Sequence, residues 1–164
     1  GLTGLGNRAA LDECLADKSL DWEKEGLGYS LAILDLDHFK RINDQHGHRT
    51  GDEVLSAAAS AISRISRPYD RLFRYGGDEF VAIISGEDSS DAFRVVERMV
   101  EAVRGIKLRS ARGDVHLTCS AGLVSPSAAP GIEEPNQVLE FADRALYHAK
   151  SRGRDCAVVY SNQL

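Results

Sequence analysis

The sequence has few cysteines and no long hydrophobic run, and each absence excludes a class of protein. Its cysteines are Cys14, Cys119 and Cys156, an odd and widely spaced set without the pairing of a metal-binding motif. We expect reduced, mostly buried thiols, which suit a cytosolic compartment. No apolar run approaches the length of a membrane span, and no segment resembles a signal peptide. We therefore predict a cytoplasmic domain that makes no membrane contact itself, although a longer protein could tether it to a membrane sensor.

Basic residues are also too few for one class of function. The 164 residues include 20 lysines and arginines against 25 aspartates and glutamates, a formal net charge of −5. A general nucleic-acid binder needs a basic surface that neutralises phosphates, so we predict no nucleic-acid partner. Local basic clusters could still hold a small anionic ligand. The sequence has no internal repeat, and its length suits one buried core, so residues 1–164 are predicted to form a single domain.

The hydrophobic pattern that is present predicts a mixed α/β fold. It indicates, in order, a helix, a strand, a helix, a hairpin, a helix, a strand, a helix and a strand. The predicted helices are Asn7 to about Leu20, Asp52 to about Ile65, a helix carrying Phe93 to Val103, and Asn136 to Gly153. The predicted strands are Tyr29 to Leu36, the hairpin Leu72 to Ser85, Val115 to Val124, and Ala157 to Tyr160. Loops are predicted at Asp21 to Gly28 and His46 to Thr50, and a helical turn at His38 to Asp44. Without the first helix and the last helix–strand pair, βα-ββ-αβ remains, which is the ferredoxin-like pattern.

One predicted strand carries acidic residues that need a reason. Tyr29 to Leu36 is nearly all apolar, which predicts a central strand covered on both faces. Alternation along this strand puts Asp35 on an otherwise buried face, whereas a solvent-exposed strand end accounts for Asp37. In the ferredoxin-like arrangement this strand lies beside the hairpin. Asp35 and Asp78 would then converge at one edge of the sheet.

Two adjacent glycines, Gly76 and Gly77, separate the apolar runs of the hairpin. They predict a tight type I′ turn, because both central positions of that turn need positive φ. Asp78 and Glu79 follow side by side. Two carboxylates on a rigid hairpin suit a divalent cation, since Mg²⁺ takes hard oxygen ligands. The alternative, which these residues alone favour, is a surface hairpin with an acidic end.

Motifs spread over almost the whole chain decide between these interpretations. They are Leu2 to Arg8, Asp35 to Asp44, Gly47-His48, Gly51-Asp52, Gly76-Gly77-Asp78-Glu79-Phe80, Tyr147 to Lys150, and Gly153-Arg154. In these residues the sequence resembles the GGDEF domains, the diguanylate cyclases of bacterial second-messenger signalling. The resemblance implies condensation of two GTP molecules into cyclic di-GMP with release of two pyrophosphates.

The resemblance also implies a metal centre. Asp35 and Asp78 would be carboxylate ligands of two Mg²⁺ or Mn²⁺ ions per active site, with the carbonyl of Leu36 as a third contact. Two metals about 3.5–4 Å apart can activate the attacking 3′-hydroxyl and stabilise the leaving oxygen. Asp78 is also the implied general base. Glu79 is either a ligand of the second metal or an orienting partner for Arg74, and both interpretations stay open.

The implied substrate contacts surround this centre. The turn from Leu36 to Lys40 would present backbone N–H groups to the β- and γ-phosphates, and Lys40 would stabilise charge developing there. Guanine recognition needs an acceptor for N1–H and the 2-amino group, which Asp52 supplies and Asn43 can assist. The remaining substrate contacts that the resemblance implies are Phe39, His48, Lys150 and Arg154.

Most of these contacts have a structural alternative in the sequence. Lys40 could be a solvated surface lysine, Asp52 could be the N-cap of its helix, and His48 could be an incidental loop residue. Lys150 and Arg154 could interact favourably with a helix C-terminus.

A further motif, Arg67-Pro68-Tyr69-Asp70, matches the family's inhibitory RxxD motif. Arginine binds phosphate and stacks on guanine, while the aspartate would accept from the guanine edge. Arg98 is a candidate secondary contact. Cyclic di-GMP bound here would hold two domains apart and so inhibit its own synthesis.

The resemblance leaves partners and alternatives to consider. Because each domain would hold one GTP, catalysis would need a homodimer. The family usually has an aspartate before the Leu2-Thr3 pair, which suggests a catalytic domain excised from a longer protein with an N-terminal regulatory domain. The alternative to an active enzyme is a catalytically silent GTP- or cyclic di-GMP-binding regulatory module. A relative that makes an adenine-containing product is disfavoured by Asp52, whose carboxylate selects guanine.

Overall fold

The computed structural model describes residues 1–86, 89–129, 132 and 135–161. The helices in these ranges are α1 (Arg8–Glu25), α2 (Phe39–His46), α3 (His48–Ile65), α4 (Ser89–Arg104) and α5 (Pro135–Ser151). The strands are β1 (Tyr29–Leu36), β2 (Arg71–Arg74), β3 (Glu79–Ser85), β4 (Leu108–Ser110), β5 (Gly113–Val115), β6 (Cys119–Val124) and β7 (Ala157–Val159). A 3₁₀ turn covers Pro126–Ala128. None of the helices in the described ranges is long and apolar enough to cross a membrane.

The main sheet has the strand order β2-β3-β1-β6-β7, and β4 pairs with β5 separately. All neighbours in the main sheet are antiparallel except β6 and β7, which are parallel. Without α1, α5 and β7, the order β2-β3-β1-β6 is that of the predicted ferredoxin-like core. The predicted fold class is therefore confirmed, and β1 lies at the centre of the sheet.

Helices cover both faces of β1, as its apolar composition predicts. Its even-numbered residues, such as Leu34, pack into a cluster with α3 and α4. Its odd-numbered residues, such as Leu31 and Ile33, pack into a second cluster with α1 and α5. Burial of two apolar faces by helices is the main stabilising contribution expected for this architecture.

Gly122 on β6 allows α5 to lie close to the sheet. A Cβ atom at this position would overlap the carbonyl oxygen of Ala142 and the amide nitrogen of Leu146, both in the backbone of α5. Backbone atoms of a packed helix cannot rotate away as a side chain can. Glycine therefore sets the distance between α5 and β6, and with it the position of the C-terminal end of α5.

Several predicted bounds differ from the structure. Helix α1 continues to Glu25, where a loop was expected, because the acidic and lysine residues there are good helix formers; it ends before Gly26 at φ 66°. Helix α3 begins at His48 rather than Asp52. The predicted strand from Val115 to Val124 is divided, because Val115 belongs to β5, which pairs with β4, and residues 116–118 separate it from β6.

The predicted type I′ turn of the central hairpin is wrong. Neither Gly76 nor Gly77 has a positive φ in the structure. The turn is longer, and the amide groups of Tyr75 and Gly76 both donate to the carbonyl of Glu79, at 2.9 and 3.3 Å. A Cβ atom at position 76 would meet Oε2 of Glu79 at 2.5 Å, so a larger residue there would displace the Glu79 carboxylate.

Candidate active site

The C-terminal end of β1 and the hairpin turn meet at one edge of the sheet. Asp35 is the register partner of Glu79, and the amide of Leu36 donates to the carbonyl of Asp78 at 3.1 Å. The topology thus brings together acidic residues more than 40 positions apart in sequence, as the ferredoxin-like pattern predicts.

Asp35 is a largely buried carboxylate with one cationic partner. Its side chain is 13% exposed, and Oδ2 lies 2.9 Å from Nζ of Lys150 on α5. Burial raises the pKa of Asp35, and the charges of Asp78 and Asp37 add to this effect, while Lys150 opposes it. The negative charge is therefore held at a cost to the fold, which a bound cation would offset.

Glu79 lies in the same acidic environment. Burial raises its pKa, and the neighbouring charges of Asp35 and Asp78 raise it further. Arg74 does not orient Glu79, because Nη2 of Arg74 donates to the carbonyl of Gly77 at 2.8 Å and no ion pair joins Arg74 to Glu79 among the described side chains. That contact stabilises the hairpin turn. The interpretation of Glu79 as a partner of Arg74 is therefore wrong.

The donor atoms at this edge fit a hard divalent cation. The candidates are the carboxylates of Asp35, Asp78 and Glu79 and the carbonyl of Leu36, and all are oxygen. Within the described ranges, no three side chains of histidine, cysteine, aspartate or glutamate are already arranged as a metal cage. This arrangement suits Mg²⁺, which proteins hold through one or two carboxylates with water and substrate phosphates completing the shell.

The turn after β1 has a backbone suited to an anion. His38 adopts a left-handed conformation, with φ 57° and ψ 29°, and its carbonyl accepts from the amides of Arg41 and Ile42. Helix α2 then begins at Phe39, and Lys40 is exposed on its first turn. The expected phosphate contacts of Leu36 to Lys40 therefore lie at the start of a helix, directly after the strand that carries Asp35.

A glycine positions one of the predicted guanine contacts. Gly51 of α3 is packed so tightly against α2 that a Cβ atom would overlap Oδ1 of Asn43 and lie 3.3 Å from Cζ of Phe39. Asp52 follows on the next residue and is exposed. Because α3 begins at His48 with Gly47 before it, Asp52 lies inside the helix, and its interpretation as the N-cap is wrong.

The end of α5 brings Lys150, a predicted substrate contact, to this edge. Lys150 contacts Asp35, which is more specific than the dipole interaction that its position in the helix would explain. Arg154 is exposed and lies beyond the helix, after Gly153, with a left-handed φ of 67°. Its amide donates to the carbonyl of Ala149 at 3.1 Å.

The RxxD motif forms a turn between α3 and β2. Asp70 is 7% exposed, and its two carboxylate oxygens accept from the backbone amides of Arg67, at 2.8 Å, and Ser85, at 3.3 Å. Asp70 therefore fixes the shape of this turn. The side chains of Arg67 and Arg98 are exposed and accessible to a ligand.

The interpretation of Asp37 as a solvent-exposed strand end is wrong. The residue is 5% exposed and accepts hydrogen bonds from Ser120 Oγ, Thr118 Oγ1 and the amide of Asp155, at 2.7, 2.8 and 3.2 Å. Two hydroxyl residues at alternate positions near the start of β6 were the only signal in the sequence. Their partner could not be identified, because it lies more than 80 residues away.

Comparison with known proteins assigns the family. The model of the family described as "Diguanylate cyclase, GGDEF domain" matches residues 1–156. The chain belongs to the GGDEF family. Members of this family use a divalent metal, in agreement with the oxygen donors at the edge of the sheet.

Individual relatives agree with this assignment. The GGDEF domain is 40% identical over 154 residues to the diguanylate cyclase DgcP of Pseudomonas aeruginosa, and 37% identical over 155 residues to the diguanylate cyclase DosC of Escherichia coli. Each match covers 94% of this chain but only 22% of DgcP and 33% of DosC. The chain thus spans between a fifth and a third of the length of these relatives.

A solved structure extends the likeness to three dimensions. The GGDEF domain of DgcB from Caulobacter crescentus, crystallised in complex with cyclic di-GMP, is 38% identical to this chain with a TM-score of 0.90. The match covers 97% of this chain and 93% of that one.

Proposed function

We propose that this GGDEF domain is a diguanylate cyclase that condenses two GTP molecules into cyclic di-GMP and releases two pyrophosphates. The observation that carries the proposal is the pairing of β1 with β3, which sets Asp35 beside Asp78 and Glu79 at a partly desolvated, acidic edge of the sheet. The names of the relatives DgcP and DosC support the same reaction. A silent binding module would not need to keep these carboxylates at a cost to the fold.

The proposed metal centre uses Asp35, Asp78, Glu79 and the carbonyl of Leu36 to hold two Mg²⁺ or Mn²⁺ ions. Bound there, the ions would lower the pKa of the attacking 3′-hydroxyl and neutralise charge on the leaving pyrophosphate. Asp78 accepts the hydroxyl proton as general base. By fixing where the ions would be held, the carboxylates would also determine the orientation of the α-phosphate for in-line attack.

The proposed substrate site extends from this centre along α2 and α3. Asn43 and Asp52 recognise the guanine edge, with Phe39 and His48 beside it. Within the turn from Leu36 to Lys40, the amides of Leu36 and Asp37 already donate to Asp78 and Thr118, so the amides at the start of α2 bind the β- and γ-phosphates. Three basic side chains supply positive charge there. These are Lys40, Lys150 and Arg154.

Catalysis in this proposal needs two copies of the domain. One domain holds one GTP, and the 3′-hydroxyl of each nucleotide must reach the α-phosphorus of the other. Two active sites must therefore face each other in a homodimer. We also propose a cytoplasmic location, because GTP is a cytoplasmic substrate.

Forced dimerisation tests the proposed reaction. The chain fused to a dimeric coiled coil should convert GTP and Mg²⁺ into cyclic di-GMP, identified by mass spectrometry. Asp78→Ala should abolish product formation, while Asp12→Ala, a substitution at an exposed acid on α1, should not. Retained turnover by Asp78→Ala would contradict the mechanism. A wild-type fusion that binds GTP without forming product would instead identify a silent binding module.

Product inhibition is the second part of the proposal. Arg67 and Arg98 are the contacts to cyclic di-GMP, and Asp70 shapes the turn between α3 and β2 that carries Arg67. Arg67→Ala should raise the concentration of cyclic di-GMP needed for half-inhibition. Arg64→Ala, a change of the same kind one turn earlier on α3, is the matched control. Equal inhibition of wild type and Arg67→Ala would refute this site. Asp70→Asn should mainly lower the melting temperature, because its carboxylate bonds are made to backbone amides.

A further inference from the structure

Asp37 is a buried carboxylate that the proposed chemistry does not use. It directly follows the metal-binding end of β1, and its backbone amide donates to the carbonyl of Thr118 at 2.9 Å. Its side chain accepts three hydrogen bonds, from Ser120 and Thr118 near the start of β6 and from the amide of Asp155 beyond α5. Three hydrogen bonds hold this buried carboxylate in one position, because moving it would leave charged oxygen atoms unpaired.

The segment that Asp37 holds has an unusual backbone. Gly153, Arg154 and Asp155 follow one another with φ values of 109°, 67° and 51°. Two consecutive residues with side chains in the left-handed region cost free energy, and such conformations persist only where the surrounding contacts determine them. The turn between α5 and β7 is therefore held in place by its tertiary contacts.

Asp155 shows what those contacts are. Its amide donates to Asp37, and its Oδ2 and carbonyl accept from Nε and Nη2 of Arg104 on α4, at 2.8 and 3.1 Å. Its other carboxylate oxygen, Oδ1, is buried and finds no hydrogen-bond partner among the described residues. A buried acceptor without a partner is unfavourable, so the contacts of Asp155 with Asp37 and Arg104 hold the turn against this cost.

Two contacts tie the end of α5 to the end of β1. Lys150, the penultimate residue of the helix, contacts Asp35, and Asp155 bonds to Asp37. Arg154 lies between these two attachment points. Its backbone is fixed on both sides while its side chain remains exposed.

We propose that Asp37 is a positioning residue that holds the turn from Gly153 to Asp155 so that Arg154 faces the triphosphate bound at the end of β1. This inference rests on the proposed function, because it assumes that GTP binds there. It predicts that loss of the Asp37 contacts weakens GTP binding through Arg154, with Asp37 itself making no contact with substrate.

Two substitutions weaken the contacts without removing the side chain at the centre. Asp37→Asn keeps the shape but offers one acceptor oxygen to three donors. Ser120→Ala removes the donor to Oδ1 and leaves Asp37 in place. Ser125→Ala is the matched control, because Ser125 is equally buried and makes a hydrogen bond of 2.6 Å to Ser30 at the opposite end of β1.

The measurement is the KM for GTP and the kcat of the dimeric fusion. Asp37→Asn should raise KM by about tenfold and Ser120→Ala by about threefold, in the range of the net contribution of a typical hydrogen bond, with a smaller change in kcat. Ser125→Ala should leave KM unchanged even if it lowers the melting temperature. An unchanged KM in Asp37→Asn would overturn the proposal.

A double-mutant cycle shows whether the effect passes through Arg154. In an Arg154→Ala background, Asp37→Asn should have little further effect on KM, because the side chain it positions is gone. Additive effects of the two substitutions on KM would mean that Asp37 acts by another route and would overturn the proposal.

Amide hydrogen exchange separates this inference from the proposed function. Without nucleotide, Asp37→Asn should increase exchange at Arg154 and Asp155 relative to wild type, and Ser125→Ala should not. Unchanged exchange would overturn the positioning role even in an active enzyme. Failure of the proposed function would appear differently, as a wild-type fusion that forms no cyclic di-GMP.

Discussion

The two ends of β1 are built from the same kind of buried backbone but carry opposite chemistry. At its start, Ser30 is fully buried and its hydroxyl pairs with that of Ser125 at 2.6 Å, a neutral contact. At its end, Asp35 is a largely buried carboxylate with a raised pKa. A neutral hydroxyl pair stabilises the sheet, whereas desolvated carboxylates destabilise it unless a cation is present.

This difference locates the function within an otherwise uniform strand. The start of β1 can be explained by stability alone, but the end cannot. Residues that a folded chain keeps at an energetic cost are candidates for binding or catalysis. The following substitutions act on the two ends separately, in order of expected effect.

Asp35→Asn should have the largest effect on activity. Loss of a metal carboxylate removes several kcal/mol of transition-state stabilisation, so kcat/KM of the dimeric fusion should fall by about 10³-fold. Turnover within a factor of a few of wild type would show that this end of β1 is not the metal centre.

The same substitution should remove a loss of folding stability that wild type shows as pH rises. Because the pKa of Asp35 is raised in the folded state, that state binds more protons than the unfolded one as the carboxyl titrates. Stability from this group is therefore lost as pH rises from the usual aspartate range through the raised value. In metal-free buffer, urea denaturation of wild type should show this fall relative to Asp35→Asn, and a fall of equal size in both proteins would contradict it.

Gly122→Ala should lower both the stability of the fold and the activity at the end of β1, because it moves α5 away from the sheet. The new Cβ atom would overlap backbone atoms of α5, and overpacking of this kind costs about 1–3 kcal/mol or more. GTP turnover should fall as Lys150 moves away from Asp35. Gly105→Ala is the control, since its Cβ atom would lie 3.4 Å from the nearest atom and should leave denaturation almost unchanged.

Gly51→Ala should affect the substrate site with little effect on folding. Alanine favours the helix by up to about 1 kcal/mol, but its Cβ atom displaces the side chain of Asn43. Loss of one guanine hydrogen bond should raise KM for GTP by about threefold to tenfold. In an Asn43→Ala background the substitution should no longer raise KM, and a persistent effect would argue against Asn43 as its route.

Ser30→Ala should have the smallest effect, confined to stability. It leaves the hydroxyl of Ser125 buried without its partner, at a cost of about 1 kcal/mol in the free energy of unfolding. KM and kcat should match those of wild type. A loss of activity without unfolding would mean that the two ends of β1 are not independent.

Near the site, the sequence correctly predicts the strands whose bounds follow from the local hydrophobic pattern. Tyr29–Leu36 has the predicted bounds, because a nearly all-apolar run of strand length ends there, between Gly28 and Asp37. The strand order followed from the alternation of elements, and it placed Asp35 beside the hairpin. The hairpin turn was predicted wrongly, since neither glycine has a positive φ, and only at Gly76 would a Cβ atom meet the side chain of Glu79.

The sequence does not predict contacts that depend on side-chain packing between distant segments. Asp37 reads as the polar end of a strand, and only the fold shows that it binds residues 118, 120 and 155. Asp70 is similar, because its sequence motif indicates a ligand contact whereas in the structure its carboxylate accepts from two backbone amides. Short exposed strands such as β4 and β5 also lack a pattern long enough to recognise.

The most direct test of the metal centre at the end of β1 is a count of bound Mn²⁺ by electron paramagnetic resonance, with a non-hydrolysable GTP analogue present. Wild type and Ser30→Ala should each bind about two ions per domain. Asp35→Asn should bind fewer, or bind them markedly more weakly. Equal binding by Asp35→Asn and wild type would contradict the assignment of the acidic edge as the site of catalysis.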